Sequence, residues 1–456
     1  MSRILLISTN RVATPYEVYP LGMAVVAGAL AARGHQVEQF DLLAAGKEAL
    51  ELLEKQVEDQ SPDFVCLSLR NLDNVDSLSG TKEWYLDRDR DLVAQLRKLT
   101  RAPIIVGGAA FSLMPEEILD YLKADYGVVG EGEKALGDLL EELSDDRRSG
   151  KDLERLVYGE RVEDGREFGR PLFSEKLQKF YRQKCGIIGL QTKRGCPHSC
   201  VYCSYPALEG RVLRHRPVGL VADEIEQLLS DGELETLFFV DSVFNDAEGV
   251  YLHLAEELIR RSLKVRWSAF FRPAGLTRDN LKLLQRAGLF ALEMGTDALT
   301  EPTLAGLGKG FSLDEIFQTH DNCRSLGLAV AHYLIFGGPG ETPTTLKTGL
   351  KNLDRLAGGV IFPFSGLRII PETSLYHRAL REEVVAADTS LLKPVYYFSP
   401  EIDPSFMNRE IAAACHGHRE RLFPPADAFV RMAVMRRFGV SGLLWDQLLS
   451  SEKLHA

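Results

Sequence analysis

The sequence predicts an α/β chain of two successive domains, a doubly wound Rossmann-like sheet and a partial (β/α)6 barrel, closed by a helical C-terminal tail. Three observations predict it. At 456 residues the chain is too long for a single compact core. Short β-branched runs alternate with helix-period stretches over residues 1–145, and the same alternation returns over residues 185–384. Between them, residues 146–184 are charge-rich and aperiodic, and they read as a linker.

In the first series, strands are expected at 4–8 (ILLIS), 36–42, 63–69, 103–108 and 125–130, with helices at about 22–33, 47–58, 80–99, 115–123 and 132–144. Such an open parallel sheet binds its ligands beyond the carboxyl ends of its strands. In the second series, strands are expected at 186–191, 236–241, 266–271, 290–295, 329–336 and 360–369. Helices are expected at about 219–231, 248–263, 278–287, 313–326, 343–356 and 373–384. Six βα units place their chemistry at the carboxyl ends of the strands. The tail, 385–456, reads as helical or irregular.

Composition excludes several classes. The apolar fraction of 45% and charged fraction of 26% are those of a globular protein. A net charge of −11 argues against nucleic acid as a partner. The opening "MSRILLISTN" has too short an apolar run for a signal peptide, and no stretch has membrane-spanning length. A reducing, cytoplasmic setting is therefore expected, in which cysteines are thiols or metal ligands.

Three of the seven cysteines, Cys196, Cys200 and Cys203, fall within the eight residues "CPHSCVYC", just past the first strand of the second series. Three soft thiolates in one loop can converge on a metal centre. Zinc completed by His198 or His215 is one reading. An iron–sulfur cluster with one iron left open is the other. Cys66, Cys185, Cys323 and Cys415 are scattered and read as ordinary thiols.

The spacing C-x-x-x-C-x-x-C, with Tyr202 before the third cysteine, resembles the signature of the radical S-adenosylmethionine (AdoMet) superfamily. The resemblance implies a [4Fe–4S] cluster on the three cysteines, AdoMet on the open iron, and Tyr202 packed by the adenine. It also implies AdoMet contacts at the later strand ends. These are Asp241 and Ser242 where a G-G-E triplet is absent, Arg272 as a carboxylate partner, Glu293 toward ribose or methionine, and Gly337 and Gly338 beneath adenine.

The first domain carries "GEGEKA" (130–135), which matches a dinucleotide-type glycine turn, yet Glu131 and Glu133 would repel a pyrophosphate. Together with Tyr19 and Leu21 of "YPLGMAVVAGAL", "SLRN" (Ser68, Leu69, Arg70, Asn71), Gly107 and Gly108, and Gly130, Glu131 and Gly132, it resembles the cobalamin-binding domain that precedes many radical AdoMet enzymes. The "GLGKGF" and "LRIIPETSLYHRAL" stretches resemble the same subfamily. The D-x-H-x-x-G motif that supplies a lower cobalt ligand is absent, and His35 reads as a surface residue. Arg70 replaces a leucine of the cobalamin motif. A guanidinium cannot ligate cobalt, and beneath the corrin it would keep that face free of a ligand.

The resemblance implies a cobalamin-dependent radical AdoMet methyltransferase of class B type. It would move a methyl group to an unreactive carbon or phosphorus centre of a small-molecule, lipid or peptide substrate. An external electron donor such as flavodoxin or ferredoxin is implied. The same apparatus also serves cyclisation, oxidation or rearrangement, and a non-enzymatic zinc or cobalamin sensor is the reading from a different class.

Overall fold

The computed structural model describes residues 1–13, 16–79, 84–145, 154–232 and 234–449. The expected helix start at 80–83, the first part of the linker (146–153) and the end of the tail (450–456) lie outside them.

The apolar run of β1 (Arg3–Ser8) is buried on both faces, as a central parallel strand requires. It pairs in parallel with β2 (Gln36–Asp41) and β3 (Phe64–Ser68). β4 (Ile104–Gly107) and β5 (Tyr126–Gly130) extend the sheet beyond β3. The helices α1 (Leu21–Ala32), α2 (Ala49–Gln60), α3 (Leu86–Leu99), α4 (Pro115–Leu122) and α5 (Gly132–Ser144) fall between these strands. The strand order is β2-β1-β3-β4-β5-β6, so the direction of winding reverses between β1 and β3. Ligands of such sheets lodge at that reversal.

The expected linker is corrected by the sixth strand. β6 (Leu156–Gly159) pairs in parallel with β5, and α6 (Glu175–Lys184) buries Leu177 and Tyr181 in the core. β6 escapes a pattern reading because it is a four-residue edge whose pairing is carried by backbone groups, with Tyr158 left exposed.

The second sheet has the order β14-β13-β12-β11-β10-β7, all parallel, in chain sequence from one edge to the other. Its strands are β7 (Ile187–Leu190), β10 (Thr236–Phe239), β11 (Trp267–Phe271), β12 (Leu289–Asp297), β13 (Ala329–Phe336) and β14 (Val360–Ser365). After β7 a short hairpin, β8 (Lys193–Arg194) with β9 (Arg214–His215), brackets the cysteine loop. Helices α7 (Val218–Ser230), α8 (Val250–Arg260), α9 (Arg278–Arg286), α10 (Leu313–Ser325), α11 (Pro343–Asn352) and α12 (Ser374–Arg381) follow the successive large strands. A short helix at Glu301–Gly306, capped by Thr300, was not legible in the periodicity.

β7 and β14 do not pair with each other, so the barrel has an open seam. The tail covers it. β15 (Leu367–Arg368) pairs with β16 (Tyr396–Tyr397), then α13 (Pro404–Cys415) and α14 (Pro425–Arg437) follow, and Leu443, Leu444 and Trp445 enter the core. That core is continuous, running from Ile4 and Leu6 through Tyr181 to Phe238 and Trp267.

Candidate active site

The cysteine loop is held before any metal enters. The Gly195 backbone N–H donates to Glu209 Oε2 at 3.0 Å, and Cys196 N–H donates to the Gly210 carbonyl at 2.9 Å. A Cβ on Gly195 would stand 2.1 Å from the Val212 carbonyl oxygen, at a φ of +96°, so only glycine fits there. Farther on, Val201 N–H donates to the Leu307 carbonyl. Cys196 is buried, while Cys200 and Cys203 are half-buried; burial and the neighbouring cysteines raise the pKa of both Cys200 and Cys203.

Two cations flank this loop. Lys309 Nζ pairs with Asp297 Oδ2 at 2.5 Å, and the same oxygen accepts from Tyr202 Oη. Burial opposes the Lys309 charge, but Asp297 and Cys200 overcome it and raise its pKa. Arg272 Nη1 lies 2.9 Å from His198 Nδ1 and 3.0 Å from Nε2, while Nη2 donates to the Lys309 and Gly310 carbonyls. Asp297 and Lys309 were missed in the sequence; the available signal was a charged residue at the end of the fourth barrel strand and a lysine in "GLGKGF".

Several expected AdoMet contacts are engaged elsewhere. Asp241 is fully buried; it accepts from Thr192 N–H at 2.7 Å and Thr192 Oγ1 at 2.5 Å, and pairs with Lys193. Its role is to close the turn after β7. Ser242 Oγ donates to the Gly195 carbonyl at 2.9 Å. Glu293 is 1% exposed and sealed inside the barrel, accepting from Tyr16 Oη (3.3 Å), Tyr333 Oη (2.9 Å) and Trp445 Nε1 (3.1 Å). Gly337 is backed by Met407 and Phe398, and Gly338 by Leu307 and Leu367. Their small size is therefore demanded by the chain's own packing. The zinc reading also fails on geometry. His198 faces Arg272 and His215 faces Glu248, so each imidazole offered as the fourth zinc ligand is engaged elsewhere.

The first sheet presents Ser68, Arg70, Asn71, Gly107, Gly108 and Gly130 at the open carboxyl ends of β3, β4 and β5. Three expected contacts are withdrawn into the protein. Tyr19 is a core residue packed on Phe173 and Tyr181, and Leu69 is wholly buried. The Glu131 carboxylate turns away to the other domain, where Arg214 holds it at 2.5 Å. Leu21 is half-buried at the start of α1, and Gly132 opens α5. His35 lies at the amino end of β2, away from the cleft.

Arg70 forms no hydrogen bond or ion pair with any described residue, and its accessible area faces a cleft of about 340 Å³ shared with Thr9, Asn10, Arg11, Asn71, Arg88 and Asp89. Desolvation there lowers its pKa, with only the phenols of Tyr16, Tyr205 and Tyr181 opposing. Tyr205 stands two residues beyond Cys203, so this guanidinium lies within electrostatic reach of the segment that follows the cysteine loop.

Comparison with known families follows this division. The family model for the B12 binding domain matches residues 7–140, and that of the radical SAM superfamily matches residues 190–351. The chain belongs to the B12-binding radical SAM proteins.

Among relatives of this B12-binding radical SAM chain, tryptophan 2-C-methyltransferase of Streptomyces laurentii is 24% identical over 82% of the chain and 73% of the relative. Hopanoid C-3 methylase of Methylococcus capsulatus is 26% identical over 69% of the chain and 60% of the relative. Cytidylyl-2-hydroxyethylphosphonate methyltransferase of Streptomyces wedmorensis is 24% identical over 84% and 82%. The radical S-adenosylmethionine methyltransferase TsrM from Kitasatospora setae, solved with cobalamin and a [4Fe–4S] cluster bound, shares the fold. Its TM-score is 0.85 at 24% identity, over 99% of this chain and 98% of that one.

The residues present suit both cofactors. Three soft thiols beside Lys309 and Arg272 match an iron–sulfur group of net negative charge. The open strand ends around the unpartnered Arg70 match a flat ligand lying against backbone.

Proposed function

We propose that the chain is a methyltransferase that moves a methyl group from AdoMet, by way of cobalamin, onto an unreactive centre of a small molecule. The observation that carries this reading is the unpaired Arg70 in the cleft, within electrostatic reach of Tyr205 beyond the cysteine loop. When bound, the corrin supplies a methyl carrier and the cluster holds AdoMet and supplies electrons.

The chain's own residues bind and orient. Cys196, Cys200 and Cys203 would hold the cluster, and Lys309 and Arg272 would balance its charge. Tyr202, tied to Asp297, is fixed where it can flank AdoMet. Ser68, Asn71, Gly107, Gly108 and Gly130 would hold the corrin, and Arg70 would stand beside it as an unpaired cation. Phe270, 37% exposed on an otherwise buried barrel strand, is the apolar side chain we assign to substrate contact. No helix among the described residues is long and apolar enough to cross a membrane. We place the protein in the reducing cytoplasm, with flavodoxin or ferredoxin as its electron donor.

Anaerobic reconstitution with iron, sulfide, AdoMet and cobalamin, followed by product mass in a deletion strain, tests the proposal. A product heavier than its precursor by one methylene supports it. An unchanged or dehydrogenated skeleton would instead identify a cyclase, oxidase or mutase.

A further inference from the structure

The "GEGE" turn after β5 looks like a ligand loop in sequence, yet its carboxylates serve the neighbouring domain. Arg194 Nη2 meets Glu133 Oε1 at 2.5 Å and Arg194 Nη1 meets Glu131 Oε2 at 3.4 Å. Arg214 Nη2 meets Glu131 Oε1 at 2.5 Å. All four side chains are at most 12% exposed. The ring of Phe168 lies beneath both guanidinium groups, at 4.4 and 5.4 Å. Arg214 also donates to the Val162 carbonyl at 2.5 Å, and Val162 N–H donates to Glu131 Oε2 at 3.0 Å.

The position of the two arginines gives the network its meaning. They face each other across the β8–β9 hairpin, and Arg194 immediately precedes Gly195 and Cys196. Gly195 is locked against Val212, and Cys196 N–H is bonded to Gly210. A displacement of Arg194 therefore passes directly into the cysteine loop. Side by side, two buried guanidinium groups would repel; the carboxylates of Glu131, between β5 and α5, and of Glu133, in the first turn of α5, neutralise them. Apolar residues could join two domains as stably as buried ions do. What a buried forked network adds is a single allowed register, because each guanidinium donates to its carboxylate in only a few geometries.

We propose that Glu131, Glu133, Arg194 and Arg214 form a positioning clamp through which the first domain sets the separation and attitude of the cysteine loop relative to the corrin site. This rests on the methyltransferase reading above. The four side chains are engaged with one another, with Phe168 and with the Val162 backbone. They act through the hairpin, so breaking the clamp misplaces two bound partners without removing either.

The test uses the full chain, reconstituted with cluster and cobalamin, as the unmodified protein and as Glu133→Gln and Arg194→Lys. The primary readout is relaxation enhancement of the Co(II) electron paramagnetic resonance signal by the reduced cluster, which depends steeply on their separation. We expect both variants to keep the iron and cobalamin content of the unmodified chain. Their enhancement should be weakened or broadly distributed, and turnover should fall by about a hundredfold, the loss typical of an ångström-scale misplacement. The KM for AdoMet should move far less than kcat. Loaded variants with unchanged enhancement and unchanged turnover would overturn the clamp while leaving the methyltransferase reading intact. An unmodified chain that takes up no cobalamin would overturn both. If Glu133→Gln does not fold, Arg194→Lys, which keeps the charge and loses only the fork, gives the same readings.

Discussion

Arg70 is the residue whose chemistry is most exposed to test. A fixed cation facing the corrin site in a partly desolvated cleft disfavours the more positive cobalt state. Arg70→Leu is expected to retain cobalamin while its Co(II)/Co(I) potential shifts negative and turnover slows. Arg70→Lys, with the charge kept on a shorter head, should lie between. Spectroelectrochemical titration of the three proteins decides; an unchanged potential with unchanged turnover in the leucine variant refutes the role. The cysteines divide as sharply. Burial pushes Cys66, Cys185 and Cys323 up to about 12 and Cys415 up to about 11, as expected of inert core thiols. Alanine at Cys196, Cys200 and Cys203 together should abolish reconstituted iron and its visible absorbance, whereas alanine at the other four should leave iron content unchanged.

At the scale of elements, the tail is a structural closure of the barrel seam. Trp445 is wholly buried and gives its N–H to Glu293, which also accepts from Tyr16 of the first domain and Tyr333 of β13. Burial raises the Glu293 carboxyl to about 7, against the three donors that favour its charged form. With the folded pKa above the unfolded one, its contribution to stability is full below the ordinary carboxylate pKa. That contribution is lost as pH rises through about 7. Asp41 and Asp89, raised by burial to about 6 and about 7, act in the same direction. Glu293→Gln should therefore flatten the decline in unfolding free energy between pH 5 and 8 by up to roughly 3 kcal/mol. Urea titrations of both proteins across that range measure it. Trp445→Phe keeps the ring and removes one donor, so it should push the Glu293 pKa further up. Trp445→Ala opens a cavity worth about 3–5 kcal/mol.

Across the whole molecule, buried charge joins the first domain to the rest of the chain, and two of these joints border the proposed cofactor sites. One is the Glu131, Glu133, Arg194 and Arg214 network. The other joins Asp73, in the loop that carries Arg70, to Arg368 of β15 at 2.9 Å, both side chains 3% exposed. Arg368 also donates to the Ile369 and Leu391 carbonyls, and Trp84 Nε1 donates to Leu392 from the same side. Asp73→Ala strands a buried guanidinium and should destabilise the fold by about 3–5 kcal/mol, read as a lower urea midpoint. Because the loop holding Arg70 would then be freed, the cobalt potential of the folded fraction should spread as well.

The sequence by itself determined the two alternating series, the cysteine loop, and the expected strands to within a residue or two, except that the last, expected over 360–369, ends at Ser365. Those follow from local periodicity and from spacing along the chain, which need no knowledge of distant partners. Tertiary structure decided the rest. β6 became a strand only because an edge of the first sheet was free to pair with it. Asp241, Glu131 and Glu293 look alike in sequence, as acidic groups at or near strand ends. Each was assigned its work by a partner far along the chain, at Thr192, Arg214 and Trp445 respectively. A carboxylate's fate depends on which donors reach it in the dry interior, and spacing along the chain does not carry that information. Arg70 shows the converse. The sequence already set this arginine beneath the corrin, and the fold adds that no described carboxylate pairs with it and that it borders a cleft at the strand ends of the first sheet.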